Sequence, residues 1–244
     1  MVHVATFPEL SLNQQIGAEA WFENYLSTLL QRDVKMLADL EKKVALLPQM
    51  LRILASQAGS LMNEVNLARA VGANAVTAKA YRTMLKLLFL TFDIPPWFLN
   101  VKRRLVKASK GYVIDSLLLC HLIGYDLPTL VNKHPDLYGH VVEKFVTTEL
   151  KKLLSVSKIR TSLMHFRTRD NKEVDFVLER ANGEIVGIEV KAATHVEPSD
   201  FNGLCTLQSL TQGDFVIGVV LYQGEALVPV DARLWAMPMQ VLWA

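Results

Sequence analysis

KEVDFVLERANGEIVGIEVKA, residues 172–192, reads as two strands joined by a tight turn, and it brings Asp175, Glu189 and Lys191 into one short span. Strand side chains alternate, so Glu189 and Lys191 share a face whatever the turn does. The side of Asp175 depends on the loop. A two-residue Asn182–Gly183 turn sets Asp175 opposite Val190 and points it to the other face. A three-residue loop, Ala181–Asn182–Gly183, uses a type I turn followed by a left-handed residue, a role that suits glycine. That register pairs Arg180 with Glu184 and Asp175 with Glu189, and it gathers Val174, Phe176, Leu178, Val186, Ile188 and Val190 on an opposite apolar face. The three-residue loop is the expectation.

Two carboxylates directly across from each other repel in a bare sheet. A divalent cation between them removes the repulsion, and Mg²⁺ or Mn²⁺ suits such an oxygen site. An ion there lowers the pKa of a bound water, and Lys191 stabilises the charge that builds on a phosphate under attack. These residue types in this pattern therefore point to phosphodiester hydrolysis. The plainer alternative is an exposed hairpin with a surface salt bridge, worth about 0–1 kcal/mol.

The surrounding chain reads as helix, strand, hairpin, helix, strand. It runs from a helix at about 140–154 through strands near 162–167, 173–179, 184–192 and 215–221, with a helix at 199–209. Residues 226–244 add one or two short edge strands cut by Pro229 and Pro238. The expected boundaries are a helical connector arm over 1–43, a winged helix-turn-helix over 44–115, a connector over 116–138 and an α/β domain over 139–244. In the second of these, Leu47, Met50, Leu51 and Leu54 mark a first helix. Asn63 and Asn74 cap a second and a third, with Gly72 at the turn between them. The stretch ending at Pro95–Pro96 reads as a strand, and 101–115 as a wing with its return strand.

Between Lys79 and Lys110 stand eight cations (Lys79, Arg82, Lys86, Lys102, Arg103, Arg104, Lys107 and Lys110) against one acid, Asp93. A helix basic on its outward face, followed by a basic wing, fits contact with the phosphates of DNA. A solvated helix face beside a basic loop, or a winged helix used only for protein contact, is the alternative.

The totals exclude several classes. The 244 residues leave room for two modest domains, and half the chain is apolar. The net charge of +2 decides nothing about partners. Cys120 and Cys205 make neither a disulfide framework nor a four-ligand zinc site, and the six histidines lack metal-ligand spacing. Both cysteines read as buried small side chains in apolar helices. The first residues have no secretory pattern, and the most apolar run, 113–124, is far shorter than the roughly 20 residues a membrane span needs. A cytoplasmic protein without a membrane partner is expected. No GxxxxGK[ST] occurs, so the chain is not a P-loop ATPase by itself.

The D…ExK hairpin after an acidic helix resembles the PD-(D/E)xK nuclease superfamily. Six ordered stretches extend the likeness: FPEL at 7–10, YLSTLLQRDV at 25–34, IPPWFLNVKRRLVKASKGYVID at 94–115, GHVVEKFVTTEL at 139–150, FRTRDNKEVDFVLE at 166–179 and GIEVKA at 187–192. Together they resemble the C-terminal DUF4143 region of AAA+ ATPases. The resemblance implies a winged helix followed by a nuclease-like mixed sheet with flanking helices, an α+β or α/β chain overall. It adds Glu143 to Asp175 and Glu189 as a metal ligand, with Lys191 as the catalytic cation and Glu149 as the rival to Glu143. It also implies an ATPase module as partner, acting in trans, while the apolar face of the arm at 16–43 offers a route to self-association. The function expected is that of a DNA-binding, Mg- or Mn-dependent nuclease-like protein. The alternative is a catalytically silent binding or regulatory module.

Overall fold

A computed structural model of the chain describes residues 7–13, 17–30, 46–100, 104 and 107–243. The fold is a mixed α+β arrangement in two compact units, and neither is one continuous piece of chain. The first takes Met1–Asp93 and Gly111–Lys144, the second Ile94–Lys110 and Phe145–Ala244. The division departs from the expected boundaries at the stretch read as the wing, because main-chain and charge contacts hold 94–110 to the second unit. Half of the arm at 16–43 (residues 16 and 31–43), along with Lys102 and Arg103, lies outside the described residues.

In the first unit, short helices α1 (Pro8–Leu12) and α2 (Ala18–Thr28) precede α3 (Leu47–Ser56). Helix α3 buries Leu47, Met50, Leu51, Leu54 and Ala55, the i, i+3, i+4 stripe that drives an amphipathic helix onto a core. Helices α4 (Glu64–Ala70) and α5 (Ala75–Leu87) each open on an asparagine. The Asn63 side chain accepts from the N–H groups of Val65 and Asn66, and that of Asn74 from Thr77. Strands β1 (Thr91–Ile94) and β2 (Lys110–Val113) form a two-stranded ribbon, of which the end residues Ile94 and Lys110 belong to the second unit. Helix α6 (Ser116–Ile123) follows with Asp115 as its N-cap.

The expected connector at 116–138, whose apolar first ten residues already read as a buried helix, is helical throughout most of its length. Asp126 caps α7 (Leu127–Lys133), accepting from Thr129 N–H, and Pro128 occupies its first turn. Those residues are helix-start signals that also mark loops, which is why the stretch read as a connector. The next helix, α8 (Pro135–Val156), likewise begins on a proline, five residues before the expected start.

The second unit is a six-stranded mixed sheet. Strands β3 (Thr161–Arg167), β4 (Glu173–Arg180), β5 (Ile185–Val190), β6 (Phe215–Tyr222), β7 (Val228–Pro229) and β8 (Leu234–Pro238) lie in the order β3-β4-β5-β6-β8-β7. The β3–β4 and β4–β5 pairs are antiparallel, whereas β5–β6 and β6–β8 are parallel. Strand β8 is thus an interior strand, with β7 at the edge. The crossover from β5 to β6 carries α9 (Asn202–Thr211). Leu204 and Leu207 of α9 are fully buried in one core with Val174, Val177, Ile185, Phe215 and Val220.

That core holds both Val174 and Val177, three residues apart, so Val174 leaves the apolar face expected for it. The cause is a β-bulge. Met164 pairs with Val177 and Phe166 with Val174, so His165 alone faces two residues, Asp175 and Phe176. An extra residue on one strand reverses the alternation beyond it and re-aims the side chains at the bulge.

Candidate functional site

The hairpin turn adopts the expected three-residue form. Arg180 N–H donates to Glu184 O at 2.9 Å, Gly183 N–H donates back to Arg180 O at 3.0 Å, and Gly183 has φ +91°. Phe176 pairs with Ile188 and Glu179 with Ile185, a register that puts Asp175 across from Glu189. Past Phe176 the side chains take over from the ladder. Asp175 N–H donates to Glu189 Oε2 at 3.3 Å, and Val190 N–H donates to Asp175 Oδ2 at 3.0 Å.

The remaining oxygens meet lysines. Lys110 Nζ lies 2.9 Å from Asp175 Oδ1 and 2.7 Å from Glu173 Oε1, and the lysine is 2% exposed. Lys191 Nζ lies 3.1 Å from Glu189 Oε1 and 3.5 Å from Asp200 Oδ1. Arg167 reaches Glu173 Oε2 at 3.4 Å. Asp175, Glu189 and Lys191 are therefore brought together as the spacing implied, with Lys110, Glu173 and Asp200 joining them.

Burial holds the Glu189 carboxyl well above the ordinary glutamate range, and the Asp175 charge pushes it the same way, against the pull of Lys191 and Lys110. Burial works against the Lys191 charge, but Glu189, Asp200 and Asp175 overcome it and raise its pKa. A proton held more tightly by folded than by unfolded Glu189 stabilises the fold fully below the unfolded value. That stability is lost as pH rises through the folded one. Chemical denaturation from pH 4 to 8 is expected to show this loss, and Glu189→Gln to flatten it. An unchanged pH profile in the variant would refute the assignment.

The arrangement does not fit a divalent ion held by the hairpin acids. Each of the four carboxylate oxygens of Asp175 and Glu189 already receives a donor, and two of the donors are cations. Among the described residues, no group of three His, Cys, Asp or Glu side chains stands so as to hold a metal. Glu143 belongs to the first unit, where its Oε1 accepts from the Tyr112 hydroxyl at 2.6 Å and its carboxylate lies against Gly59. The rival Glu149 accepts from the Trp243 indole at 3.2 Å and pairs with Lys152 at 2.5 Å.

The basic row divides. Arg82 pairs with Glu64 and Asp93, and Lys86 with Asp93 at 2.9 Å. Arg104 holds Glu179 in a two-pronged pair, donates to Phe98 O at 2.6 Å and lies over the Trp97 ring. Its guanidinium holds Glu179 below the ordinary glutamate range, with burial pulling the other way. Lys79 and Lys107 are exposed. His165 ties down the same segment. Its main chain bridges Pro95 and Trp97, its Nε2 faces Ala108 O at 3.3 Å, and burial followed by the Lys110 charge lowers its pKa to about 4. Of the cysteines, Cys120 is buried and its thiol is pushed up to about 12, chiefly by burial, while Cys205 is exposed.

Sequence reasoning missed Lys110 as a partner of the hairpin because it was counted with the basic row. The sign that marks it is its place at the start of a strand whose four residues, KGYV, are all buried. A family model described as Domain of unknown function (DUF8612) matches residues 2–129, more than half of the chain. The chain belongs to this family. A second model, Domain of unknown function (DUF4143), matches residues 138–242, so the DUF4143 likeness is narrower than the six stretches implied.

This DUF8612 chain is similar to Uncharacterized protein Mb2031c of Mycobacterium bovis, 27% identical over 233 residues, covering 95% of this chain and 50% of the relative. It is equally similar to Uncharacterized protein Rv2008c of Mycobacterium tuberculosis, 27% identical with the same coverage. The chain spans about half the length of these curated relatives. A solved assembly of Thermococcus gammatolerans McrB AAA+ hexamers with bound McrC is 12% identical, with a TM-score of 0.32 over 79% of this chain and 71% of that one. No helix among the described residues is long and apolar enough to cross a membrane.

Proposed function

We propose that this DUF8612 chain is a DNA-contacting, non-cutting module that works with an AAA+ ATPase module, its second unit a PD-(D/E)xK-like sheet closed by internal cations. The observation that carries the binding half is the order of α4, a short turn, α5 and then the β1–β2 ribbon, which is the order of a winged helix-turn-helix. The N-terminal half of α5 carries the exposed Val76 and Lys79. Arg82, Lys86, Arg104 and Lys110 are engaged by acids, so within the first unit the contact is assigned to Lys79, with Lys102, Arg103 and Lys107 as further candidates from the sequence. The ATPase partner rests on the resemblance, and the greater length of the relatives is consistent with a further module there.

The non-cutting half rests on the donors that meet every oxygen of Asp175 and Glu189. Metal-dependent cutting, with Glu143, Asp175 and Glu189 as Mg or Mn ligands and Lys191 as the catalytic cation, is the second reading. The closeness of two buried like charges favours it, since a cation relieves such a pair.

Fluorescence anisotropy with a labelled duplex tests the reading. Binding is expected to weaken steeply between 50 and 200 mM salt, and Lys79→Gln or Lys107→Gln to reduce the salt slope by about 1 each. Duplex, branched and single-stranded DNA are expected to survive incubation with Mg²⁺ or Mn²⁺. Cleavage that disappears in Lys191→Ala would establish the second reading instead, and salt-insensitive or absent binding would sink the first.

A further inference from the structure

Strand β4 carries three acids on its way through the sheet, Glu173, Asp175 and Glu179, and each is met by a cation from 94–110. Arg104 takes Glu179, while Lys110 takes Glu173 and Asp175 together. A lysine 2% exposed keeps its charge only where acids replace the water it has lost. Lys110 has two such acids, both within 3 Å. The bulge at Asp175 and Phe176 sits beside it.

We infer that Lys110 is the resident cation of the hairpin acids, doing between Glu173 and Asp175 what a divalent ion does between paired carboxylates. The inference rests on the non-cutting reading of the second unit and makes its charge balance independent of metal. Lys191 supplies the matching charge on Glu189, so each of the three carboxylates has its own ammonium or guanidinium neighbour. The balance is contained in the chain, and the hairpin needs no ion to fold.

The test is made on the full chain by nuclear magnetic resonance with Mn²⁺ as a paramagnetic probe. The amides of Asp175 and Ile188–Lys191 are expected to keep their intensity as Mn²⁺ is added to the wild-type protein, and the thermal midpoint to be the same in EDTA and in 5 mM Mn²⁺, a concentration chosen for the assay. Selective broadening of those amides would overturn the inference. Lys110→Met is expected to lower the midpoint by roughly 10 °C, and Lys110→Met with Asp175→Asn to recover part of the loss. If Lys110→Met does not fold, the wild-type broadening decides alone. Neither measurement uses DNA, so failure to bind DNA overturns the functional reading alone, metal-dependent cleavage overturns both, and broadening with DNA left intact overturns only this one.

Discussion

Asp175→Ala is expected to cost the second unit about 3–5 kcal/mol, the range for breaking a buried charge pair by removing one partner. The loss has two parts. Lys110 keeps Glu173 but loses the acid 2.9 Å from its Nζ, in a place where it is 2% exposed. Val190 N–H loses its acceptor at 3.0 Å, where the ladder between β4 and β5 has already given way to side chains. Asp175→Asn keeps an oxygen for Val190 and gives up only the charge, so it is expected to cost less. Urea denaturation followed by tryptophan fluorescence measures this, because Trp97, Trp235 and Trp243 all lie in the second unit. An Asp175→Ala midpoint within error of the wild type would mean that the Lys110 pair contributes nothing.

The second large effect is expected at Gly203. A Cβ placed there meets Glu173 O at 1.7 Å and its carbonyl carbon at 2.8 Å. Helix α9 thus lies directly on the backbone of β4, and backbone cannot swing aside as a side chain does. Overpacking typically costs 1–3 kcal/mol, and Gly203→Ala is expected at or above about 3 kcal/mol. The shift would also disturb Glu173, and through it Lys110. Gly187→Ala is the informative comparison. Its Cβ meets the ends of Leu204 at 2.7 Å and Leu207 at 3.1 Å, flexible methyl groups that can turn, so a smaller loss is expected. Gly213→Ala meets nothing within 4 Å and is expected to be nearly neutral. Equal midpoints for Gly203→Ala and Gly213→Ala would contradict the close approach.

The turn at 181–183 was legible because its chemistry is local: one glycine able to adopt positive φ, at one loop length, decides the register. The caps at Asn63 and Asn74 were legible for the same reason. The bulge was not, because it is a property of two strands. Nothing within β4 says that β3 will offer one residue, His165, where β4 brings two. The basic row misled for a related reason. Asp93 is the one acid within the window, but Glu64, Glu173, Asp175 and Glu179 come from outside it, and only the fold delivers them to Arg82, Lys110 and Arg104. A count of charge along the chain measures what the unfolded chain carries, not what the folded surface shows. The helix at 127–133 was hidden by residues that serve both as helix starts and as loop formers.

The chain passes through the second unit twice, once at 94–110 and again from 145 onward. The two family matches, 2–129 and 138–242, divide the polypeptide elsewhere. A stretch cut at the family boundary would carry the whole six-stranded sheet yet leave behind Trp97, Arg104 and Lys110. The family boundaries and the compact units therefore divide the chain at different places. A piece so cut would keep Glu173, Asp175 and Glu179 and lose the cations that pair with them, so its sheet is expected to be less stable than the same sheet in the whole chain.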